Sequence, residues 1–500
     1  MSDIFDNLIL GFSVAGTPIN ILFCFLGALL GTLIGVLPGI GPLATVAMLL
    51  PITFYLDPTT ALIMLAGIYY GAQYGGSTTS ILVNLPGESS AVVTCLDGHQ
   101  MAKQGRAGAA LAVAALVSFA AGCVATLLMV FFSPPLTTIA ESFQPAEYCT
   151  LMVFGLIAAV VLAQGSPIKA IAMVLLGLLI GIAGTDINTG VRRFTFGMIH
   201  LADGVEFVAV AMGLFGIREI MLNLEQGSTA VSAGSIGRLW PTRDDFRRSW
   251  APALRGTALG SLLGILPGGG ALLSSFAAYT VEKKISRTPE RFGHGAVEGV
   301  AGPEAANNAG AQTSFIPLLT LGIPGNALIA MMAGAMMIHG ISPGPQVMTN
   351  QPELFWGLIV SMWLGNLMLV IINLPLIGIW VRLLQVPYRL LFPLILMFCA
   401  IGVYGVNNSS FDIMLVAVFG LVGYVFVKIG CEPAPLILGM ILGPLFEENL
   451  RRTLLLSRGD WSIFVTRPAS LVFVLLSALL LLMIISPYIR KKREEVFVED

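Results

Sequence analysis

The sequence predicts an all-α polytopic membrane protein built from inverted-topology repeats with broken helices or re-entrant hairpins, and with about 11–13 transmembrane segments. Three observations support this fold class. The chain is strongly apolar along most of its length. A helix-breaking phrase occurs once in each half, as GVLPGIGP at 35–42 and as GILPGGGA at 264–271. Basic residues flank these phrases in opposite order in the two halves.

Composition places the chain in the membrane class. Of its 500 residues, 56% are hydrophobic and 11% are charged, and the mean hydropathy is +0.87. Lys and Arg (26) nearly balance Asp and Glu (28), so there is no basic surplus for binding nucleic acid. Residues 1–102 contain no Lys or Arg, which argues against a cleavable signal peptide. The six cysteines stand singly and are expected to be small buried hydrophobes.

Several apolar runs are long enough for a helix that crosses a bilayer, which takes about 20 residues. Five are uninterrupted: Ala107–Phe132, Ala146–Ala163, Pro167–Ala183, Leu354–Val381 and Ala469–Ser486. Further spans are predicted at Ile21–Leu37, Leu201–Met221, Tyr388–Val403, Asp412–Val427 and Pro433–Phe446.

Residues 21–56 form an uncharged run that must break. A straight helix of that length would reach about 54 Å, well beyond a hydrocarbon core of about 30 Å. The phrase LPGIGP at 37–42 is the natural interruption, because proline lacks an N–H donor and glycine allows unusual backbone angles.

A second Pro-Gly break follows the first in each half, in STTSILVNLPGESS at 77–90 and in TSFIPLLTLGIPGNA at 313–327. Pro38 precedes Pro86 by 48 positions, and Pro267 precedes Pro324 by 57. The nine additional residues fit within the polar insert EKKISRTPERFGHG, which the first half lacks. The repeated order predicts an internal duplication.

The basic residues predict that the two repeats have opposite orientations. Cytoplasmic loops collect Lys and Arg. In the first half these residues begin only after the second break, at Lys103, whereas in the second half they flank the first break and are then absent until Arg382. The tail Arg490–Arg493 is therefore expected to be cytoplasmic and the amino terminus external.

The predicted organisation is a first membrane repeat at 1–222, a polar cytoplasmic connection at 223–252, a second membrane repeat at 253–446, and a C-terminal span with a basic tail at 447–500.

Broken helices are tolerated at membrane depth only where they are buried in protein or line a wet cavity. The breaks carry hydroxyl and amide side chains, and exposed N–H groups at helix starts attract anions. The predicted substrate-binding residues are Pro38, Gly39, Ser77, Thr78, Thr79, Asn84, Pro86, Gly87, Ser89, Pro267, Gly268, Asn307, Asn308, Gln312, Thr313, Ser314, Pro324, Gly325 and Asn326. Carbonyls near Gly39, Gly87, Gly268 and Gly325 are candidate sodium ligands.

Each of these side chains also has a purely structural interpretation. A single Ser or Thr commonly bonds back to its own helix. The acidic candidates Glu88, Asp97, Glu298 and Glu304 are functional if they lie at membrane depth and ordinary if they lie at an interface. His99 and His339 are more typical of packed imidazoles than of proton carriers.

Three long phrases resemble the large membrane subunit of the tripartite tricarboxylate transporters, the TctA family. They are GVLPGIGPLATVAMLLPITF, YYGAQYGGSTTSILVNLPGESSAVVTCLDGHQMAKQGRAGAAL and EGVAGPEAANNAGAQTSFIPLLTLGIPGNALIAMMAGAMMIHG. The resemblance covers nearly the whole chain.

The resemblance implies the large permease subunit of a secondary transporter that imports a di- or tricarboxylate such as citrate. It implies a bacterial inner membrane location and a cation gradient, of sodium or protons, as the driving force. Its implied partners are a small membrane subunit with about four spans and a periplasmic solute-binding protein. No cofactor is implied beyond sodium as a possible coupling ion.

Two other classes remain open. An anion channel would also use polar breaks, although inverted repeats recur in alternating-access carriers. An intramembrane enzyme is disfavoured, because the chain lacks a His-Glu-x-x-His motif and paired cysteines with metal spacing. For the transporter, the break segments of both halves are expected to form a moving, elevator-like unit. The continuous spans near 110–180 and 355–425 are expected to anchor it.

Overall fold

The chain is all-α in a computed structural model that describes residues 2–37, 41–163, 166–186, 189–226, 238–266, 270–383 and 388–485. Four predicted site residues, Pro38, Gly39, Pro267 and Gly268, lie outside the described residues, as does the tail Arg490–Arg493. The only strands in the described part of the chain are the short antiparallel pair β1 (Gly184–Thr185) and β2 (Arg192–Arg193).

Eleven α-helices precede the polar connection in the described residues: α1 Ser2–Ala15, α2 Pro18–Val36, α3 Pro42–Thr53, α4 Pro58–Val83, α5 Val92–Thr94, α6 Gln100–Lys103, α7 Ala107–Glu141, α8 Pro145–Leu162, α9 Pro167–Gly181, α10 Phe207–Ala211 and α11 Arg218–Gln226. Short 3₁₀ turns form at Ser89–Ala91 and Ile199–Leu201, and π-helical turns at Cys95–His99 and Met212–Ile217.

Thirteen α-helices follow it in the described residues: α12 Arg243–Gly264, α13 Gly270–Ile285, α14 Glu298–Thr313, α15 Phe315–Leu321, α16 Ala327–Ile338, α17 Gln346–Asn350, α18 Pro352–Asn373, α19 Ile377–Leu383, α20 Tyr388–Asn407, α21 Ser410–Lys428, α22 Ala434–Leu456, α23 Ile463–Thr466 and α24 Pro468–Ile485. A 3₁₀ turn forms at Pro289–Arg291.

The predicted spans agree with the helices, with informative differences. The run Leu354–Val381 is not one helix, because α18 ends before Pro375 and α19 begins after it. The run Leu201–Met221 becomes helical only at Phe207. The amino-terminal helix α1 was not among the predicted spans, since its polar first turn interrupts the apolar pattern.

The protein is a multi-pass membrane protein. Five helices of the described residues are long and apolar enough to cross a bilayer, at Pro18–Val36, Ala107–Glu141, Phe207–Glu225, Pro352–Asn373 and Ser410–Lys428. Six shorter apolar helices of 10–17 residues accompany them. A helix that is broken within the membrane is shorter than a full span, which accounts for these shorter apolar helices. The total of about 11–13 crossings stays a prediction.

In each break region, a row of glycines spaced four residues apart lies where two helices pack together. Gly27, Gly31 and Gly35 of α2 face the backbone of α4, and a Cβ at any of them would lie closer than 3.0 Å to a carbonyl oxygen of that helix. Gly256, Gly260 and Gly264 of α12 face α14 in the same way. Small residues at this spacing let two helix backbones approach closely in a membrane.

The two glycine rows show that the duplication is structural. The glycines correspond at a constant offset of 229 positions, and their partner residues on α4 and α14 at an offset of 238. The nine additional residues therefore fall between α12 and α14, where the polar insert lies. Asn84 after α4 and Gly322 after α15, again 238 positions apart, both adopt the left-handed conformation, with φ of 58° and 75°.

The two halves exchange packing partners. Helix α3 packs against α16, while α13 packs against the 3₁₀ turn that begins at Ser89. Likewise α7 packs against α12 and α14, while α18 packs against α2 and α4. Reciprocal contacts of this kind are what a pseudo-two-fold axis produces between inverted repeats. The orientation of each half relative to the bilayer stays a prediction from the basic residues.

An ion pair fastens the polar start of α12 to the loop before α7. Arg106 pairs with Asp245, which also accepts hydrogen bonds from the backbone N–H (3.0 Å) and the hydroxyl (2.8 Å) of Thr242. Burial opposes ionisation of this carboxyl, but the Thr242 and Arg106 hydrogen bonds outweigh it and hold the pKa of Asp245 below its usual value.

The glycine rows make a stability prediction. We expect Gly31→Ala to cost about 1–3 kcal/mol, because the added methyl group must push α2 away from Ile68 of α4. Thermal unfolding of the purified protein in detergent would measure the loss. Gly378→Ala is the matched control, since no atom lies within 4 Å of the Cβ it would add. Equal melting temperatures for the two variants would contradict the close-packing argument.

Candidate functional site

Broken helices from both halves open onto one cavity of about 520 Å³, here called the break cavity. A volume of this size falls within the range of small-molecule sites, about 300–1,000 Å³. Its walls include the starts of four helical segments, at residues 41–44, 88–90, 270–272 and 326–328. Two of these segments belong to each half of the chain.

Helices α3 and α13 begin at the cavity directly after the first breaks. Gly41 precedes α3 in an extended conformation, and Pro42 occupies its first turn. Gly270 begins α13 with φ of 41°, a conformation that favours glycine. The first N–H groups of a helix have no partner within it, so helix starts at a cavity present hydrogen-bond donors and partial positive charge.

In the second half, a side chain caps the helix that follows the second break. The side-chain Oδ1 of Asn326 accepts a hydrogen bond from the backbone N–H of Ile329 (2.9 Å) and so caps α16. Its Nδ2 lies 3.4 Å from the hydroxyl of Tyr69, another residue of the cavity wall. At the equivalent position of the first half, Glu88 precedes the turn at Ser89 with nearly the same backbone angles. The repeat therefore places an amide in one half where the other half has a carboxylate.

Glu88 is held at the wall by neutral donors. Ser90 Oγ donates to Glu88 and lies 3.3 Å from Oε1 of Gln73, while Nδ2 of Asn307 lies 3.4 Å from Glu88 Oε1. Gln73 also lines the cavity. No described Lys or Arg side chain forms an ion pair with this carboxyl group at the edge of the cavity.

The opposite wall comes from outside the break segments. It includes Arg218 and Glu219 at the start of α11, Glu432, and apolar residues of α8 and α22. Arg218 Nη2 pairs with Glu219 at 2.7 Å, and its guanidinium lies 5.6 Å from the ring centre of Phe215. Its Nε is buried without a hydrogen-bond partner. The guanidinium therefore retains an unused donor beside the cavity.

A second polar cluster lies behind the cavity, on one face of α14. Glu304, Asn308 and Gln312 are spaced four residues apart, so they share that face. Asn308 Nδ2 donates to Ser118 of α7 at 2.7 Å. Gln312 accepts from Thr126 of α7 at 2.8 Å and donates to Asn366 of α18 at 2.9 Å. These six residues, Glu304, Asn308, Gln312, Ser118, Thr126 and Asn366, are called the polar seam.

The polar seam is buried but incompletely bonded. Each of its six side chains is at most 1% exposed. Asn308 Oδ1 and Asn366 Nδ2 have no hydrogen-bond partner, and neither do the nearby hydroxyls of Tyr70 and Tyr74. Unpaired buried polar atoms are uncommon in folded proteins and call for a functional explanation.

The predicted site residues separate into four groups. Those at the wall of the break cavity are Pro86, Gly87, Ser89 and Asn326. Ser77 and Thr78 instead line a small cavity of about 20 Å³ beside the polar seam. Those that line neither cavity are Thr79, Asn84, Asn307, Asn308, Gln312, Thr313, Ser314, Pro324 and Gly325. The remaining four lie outside the described residues.

Many of the hydroxyls bond back to their own helix, as the structural alternative expects. Thr79 donates to Gly76 O at 2.9 Å, Thr313 to Ala309 O at 3.0 Å, and Ser314 to Ala311 O at 2.6 Å. Such bonds satisfy the hydroxyl within the helix. These three side chains are therefore less available to a solute than Ser89, which is exposed at the cavity wall.

Two of the acidic candidates, Asp97 and Glu298, bond to protein groups that hold the structure together. Asp97 accepts from the backbone N–H groups of Gly293 (2.9 Å), Gly295 (2.8 Å) and Ala296 (2.8 Å), and so fixes the chain entering α14. Glu298 pairs with Arg248 and Arg291. Of the histidines, His99 Nδ1 lies 3.1 Å from Ile81 O, and His339 Nε2 is buried without a partner.

Arg218, Glu219 and Glu432 were not among the predicted site residues. Arg218 and Glu219 follow the apolar run that starts near residue 201, and a charged pair at the end of such a run was an available signal. Tyr69 was missed because an aromatic residue in an apolar helix carries no distinguishing pattern. Glu432 follows a charged helix end and resembles an ordinary loop residue.

Comparison with known proteins gives a consistent result. The family model described as "Tripartite tricarboxylate transporter TctA family" matches residues 21–438. An Agrobacterium vitis protein described as "Uncharacterized 52.8 kDa protein in TAR-I ttuC' 3'region" is 58% identical over 503 residues, which covers 100% of both chains. A second A. vitis protein, "Uncharacterized protein in TAR-II ttuC' 3'region", is 59% identical over 241 residues, which covers 48% of this chain and 100% of its own length. No solved structure matches the chain.

The location of the hydroxyls makes an accessibility prediction. In a variant whose six native cysteines are replaced, we expect Ser89→Cys to react with a charged methanethiosulfonate reagent at least about tenfold faster than Ser77→Cys. Ser89 is exposed at the break cavity, whereas Ser77 is 3% exposed and bonded to Glu304. Rates of modification measured by mass spectrometry would test this. Equal rates would mean that the break cavity is closed to water.

Proposed function

Because the chain belongs to the tripartite tricarboxylate transporter TctA family, we propose that it is the large permease subunit of a cation-driven carboxylate importer. The observation that carries this proposal is the break cavity, where helix starts from both halves meet. The proposed substrate is a di- or tricarboxylate such as citrate. The proposed location is the bacterial inner membrane, with the amino terminus periplasmic and the carboxyl terminus cytoplasmic.

The walls of the break cavity suit a carboxylate. The starts of α3, α13 and α16 lie at the cavity wall, and helix starts favour negative charge. Ser89 and Asn326 add polar side chains to the same wall. Arg218 adds a guanidinium, which we propose holds a second carboxylate of the same substrate. One cavity then recognises two charged ends.

The charges of the same wall support coupling to a cation. Three carboxylates, Glu88, Glu219 and Glu432, stand with one guanidinium around the cavity, so a bare anion would meet net negative side-chain charge. A co-transported sodium ion or proton would offset that repulsion. Freed carbonyls near Gly87 and Gly325, together with those near Gly39 and Gly268, remain the proposed ligands if the cation is sodium.

The polar seam supports a moving unit. It separates α14 of the break region from the long helices α7 and α18. Incomplete hydrogen bonding along this boundary lowers the cost of sliding, since few bonds must break without replacement. We therefore propose that α2–α4 and α12–α16 carry the cavity across the membrane as an elevator-like unit while the flanking helices stay in place.

The proposed partners follow from the family description. A tripartite system implies two further components, which we propose are a small membrane subunit with about four spans and a periplasmic solute-binding protein. The apolar residues exposed on α24 and α21, such as Leu475 and Leu421, face lipid or a membrane partner.

The alternatives are less well supported. An anion channel would not need an incompletely bonded seam between two packed units. The stretch GISPG at 340–344 has the Gly-x-Ser-x-Gly pattern of hydrolases. It lies between helices α16 and α17, whereas the hydrolase motif lies in a strand–turn–helix. The motif therefore does not support the enzyme alternative.

Uptake into proteoliposomes tests the proposal. We expect the full chain, reconstituted with its small membrane subunit and binding protein, to accumulate labelled citrate or tartrate saturably when a sodium or proton gradient is imposed. Unlabelled citrate, malate, tartrate and succinate serve as competitors. Uptake that rises linearly with concentration and never exceeds equilibrium would favour the channel instead. Uptake of none of these acids would contradict the proposed substrate class.

Asn326 provides a site-specific prediction. We expect Asn326→Asp to raise the half-saturating substrate concentration about tenfold or more, equivalent to about 1.4 kcal/mol. Aspartate caps a helix as well as asparagine does, so α16 keeps its start while the cavity gains a negative charge. Concentration dependence of uptake measures the effect.

Asn326→Ser is the matched control, because serine keeps a neutral cap and changes no charge. We expect it to alter the half-saturating concentration far less than Asn326→Asp does. If both variants behave like the parent protein, the start of α16 does not contact the substrate.

A further inference from the structure

Glu304 is a buried carboxylate that the break cavity does not use. It is 1% exposed and lies on α14 within the polar seam. Its oxygens accept hydrogen bonds from Ser77 of α4 at 2.8 Å, from Thr94 of α5, and from Ser118 of α7 at 3.4 Å. Three different helices thus aim hydroxyl donors at one acid.

No described Lys, Arg or His residue forms an ion pair with Glu304. A carboxylate held away from water by neutral hydroxyls alone is costly, and such a group is readily neutralised by a proton. Ionisable groups at membrane depth are rare and are typically part of an ion or proton path.

A small cavity lies beside this acid. Glu304, Ser77, Ser118 and Tyr74 are among the residues that line this cavity of about 20 Å³. A volume of about 10–15 Å³ is enough for one water molecule, provided that polar groups surround it. The cavity is therefore large enough for one water molecule next to the carboxyl group.

The neighbourhood also contains acceptors for a protonated acid. Asn308 Oδ1, one helical turn from Glu304, is buried without a donor, and so is the hydroxyl oxygen of Tyr74. An ionised Glu304 offers no hydrogen to such an acceptor. A protonated Glu304 carries the O–H donor that an orphaned acceptor lacks.

Other titratable groups face this acid from the elements packed around it. None of them forms an ion pair with Glu304. They are Tyr74 on α4, Glu88 before the Ser89 turn, Cys95 and Asp97 in the following π-helical turn, Cys123 on α7, Arg255 on α12, and Tyr279 and Glu282 on α13. Arg255 pairs with Glu282, Tyr279 donates to Asp97, and the hydroxyl of Tyr74 has no hydrogen-bond partner.

We propose that Glu304 binds the co-transported proton and thereby controls movement across the polar seam. This inference rests on the proposed function. The proton passes from water in the small cavity to a carboxylate oxygen, gives a neutral acid, and returns to water when the acid ionises on the other side. Ionised Glu304 accepts from Ser118 of the flanking helix α7, whereas protonated Glu304 has one acceptor position fewer. The hydrogen bonds across the seam therefore depend on the proton.

Separating exchange from accumulation tests the proposal. Proteoliposomes with the full three-component system are assayed with labelled citrate and labelled tartrate, without sodium and with the membrane potential held at zero. We expect Glu304→Gln to accumulate at least about tenfold less labelled acid than the parent protein when the exterior is made acidic. We expect it to keep exchange of external labelled acid for internal unlabelled acid, because glutamine mimics the neutral acid that permits movement.

Glu298→Gln is the control, since it removes a carboxylate from the same helix at its surface end, where Arg248 and Arg291 pair with it. It should retain accumulation driven by pH. Accumulation by Glu304→Gln at the parent level would overturn the proposal, and so would loss of exchange in a variant that melts at the parent temperature. If the parent protein exchanges neither acid, the proposed function itself fails. If it exchanges them but accumulates only with sodium, the proton assignment alone fails.

A second variant covers the case in which Glu304→Gln does not reach the membrane. Ser118→Ala removes the hydroxyl that joins Glu304 and Asn308 to α7. We expect its pH profile of accumulation to move to higher pH by about half a unit or more, because the ionised carboxylate has lost a donor. Exchange at saturating substrate should persist. An unchanged pH profile would overturn the proposal.

Discussion

The structure depends on the constraint that a helix cannot end inside a bilayer without a partner for its backbone N–H groups. Helices α3, α13 and α16 all begin next to Pro-Gly breaks, within apolar sequence. Their starts are not distributed over the surface. They meet at a single cavity whose wall also carries polar side chains. A cavity rich in donors is thus the condition under which these breaks are stable, and anion recognition follows from the same groups.

Close packing within each repeat makes the breaks rigid enough to be useful. The glycine rows of α2 and α12 bring each helix against the backbone of its partner, so the two members of each pair behave as one body. Reciprocal packing then links the bodies, because α3 of one half meets α16 of the other. A substrate bound among these helix starts contacts both repeats at once. In the proposed mechanism, the movement that changes its access carries both repeats together past α7 and α18.

The sequence predicted the architecture of the protein more accurately than it predicted which side chains contact one another. Repeated Pro-Gly phrases identify a duplication because proline and glycine act on the backbone locally, and the order of Lys and Arg carries orientation. Ser77 and Asn308 show the limit of this reasoning. Both are polar residues near breaks, yet helical geometry turns them toward Glu304 and Ser118 rather than toward the break cavity. Arg218 illustrates the reverse, since only the fold brings a residue from outside the breaks to the cavity wall.

The two acids closest to the breaks occupy different environments, and this difference assigns them different roles. Glu88 lies at the wall of the break cavity, where substrate and any accompanying cation would sense its charge directly. Glu304 lies behind that wall, in contact with hydroxyls of both the moving and the flanking helices. In the proposed mechanism, a charge change at Glu88 alters what the cavity holds, whereas a charge change at Glu304 alters whether the cavity can move. Asn307, which touches Glu88, and Asn308, which lies beside Glu304, are consecutive on α14. One helix therefore contacts both the cavity wall and the seam, and the proposed coupling of an ion to a substrate requires such a connection.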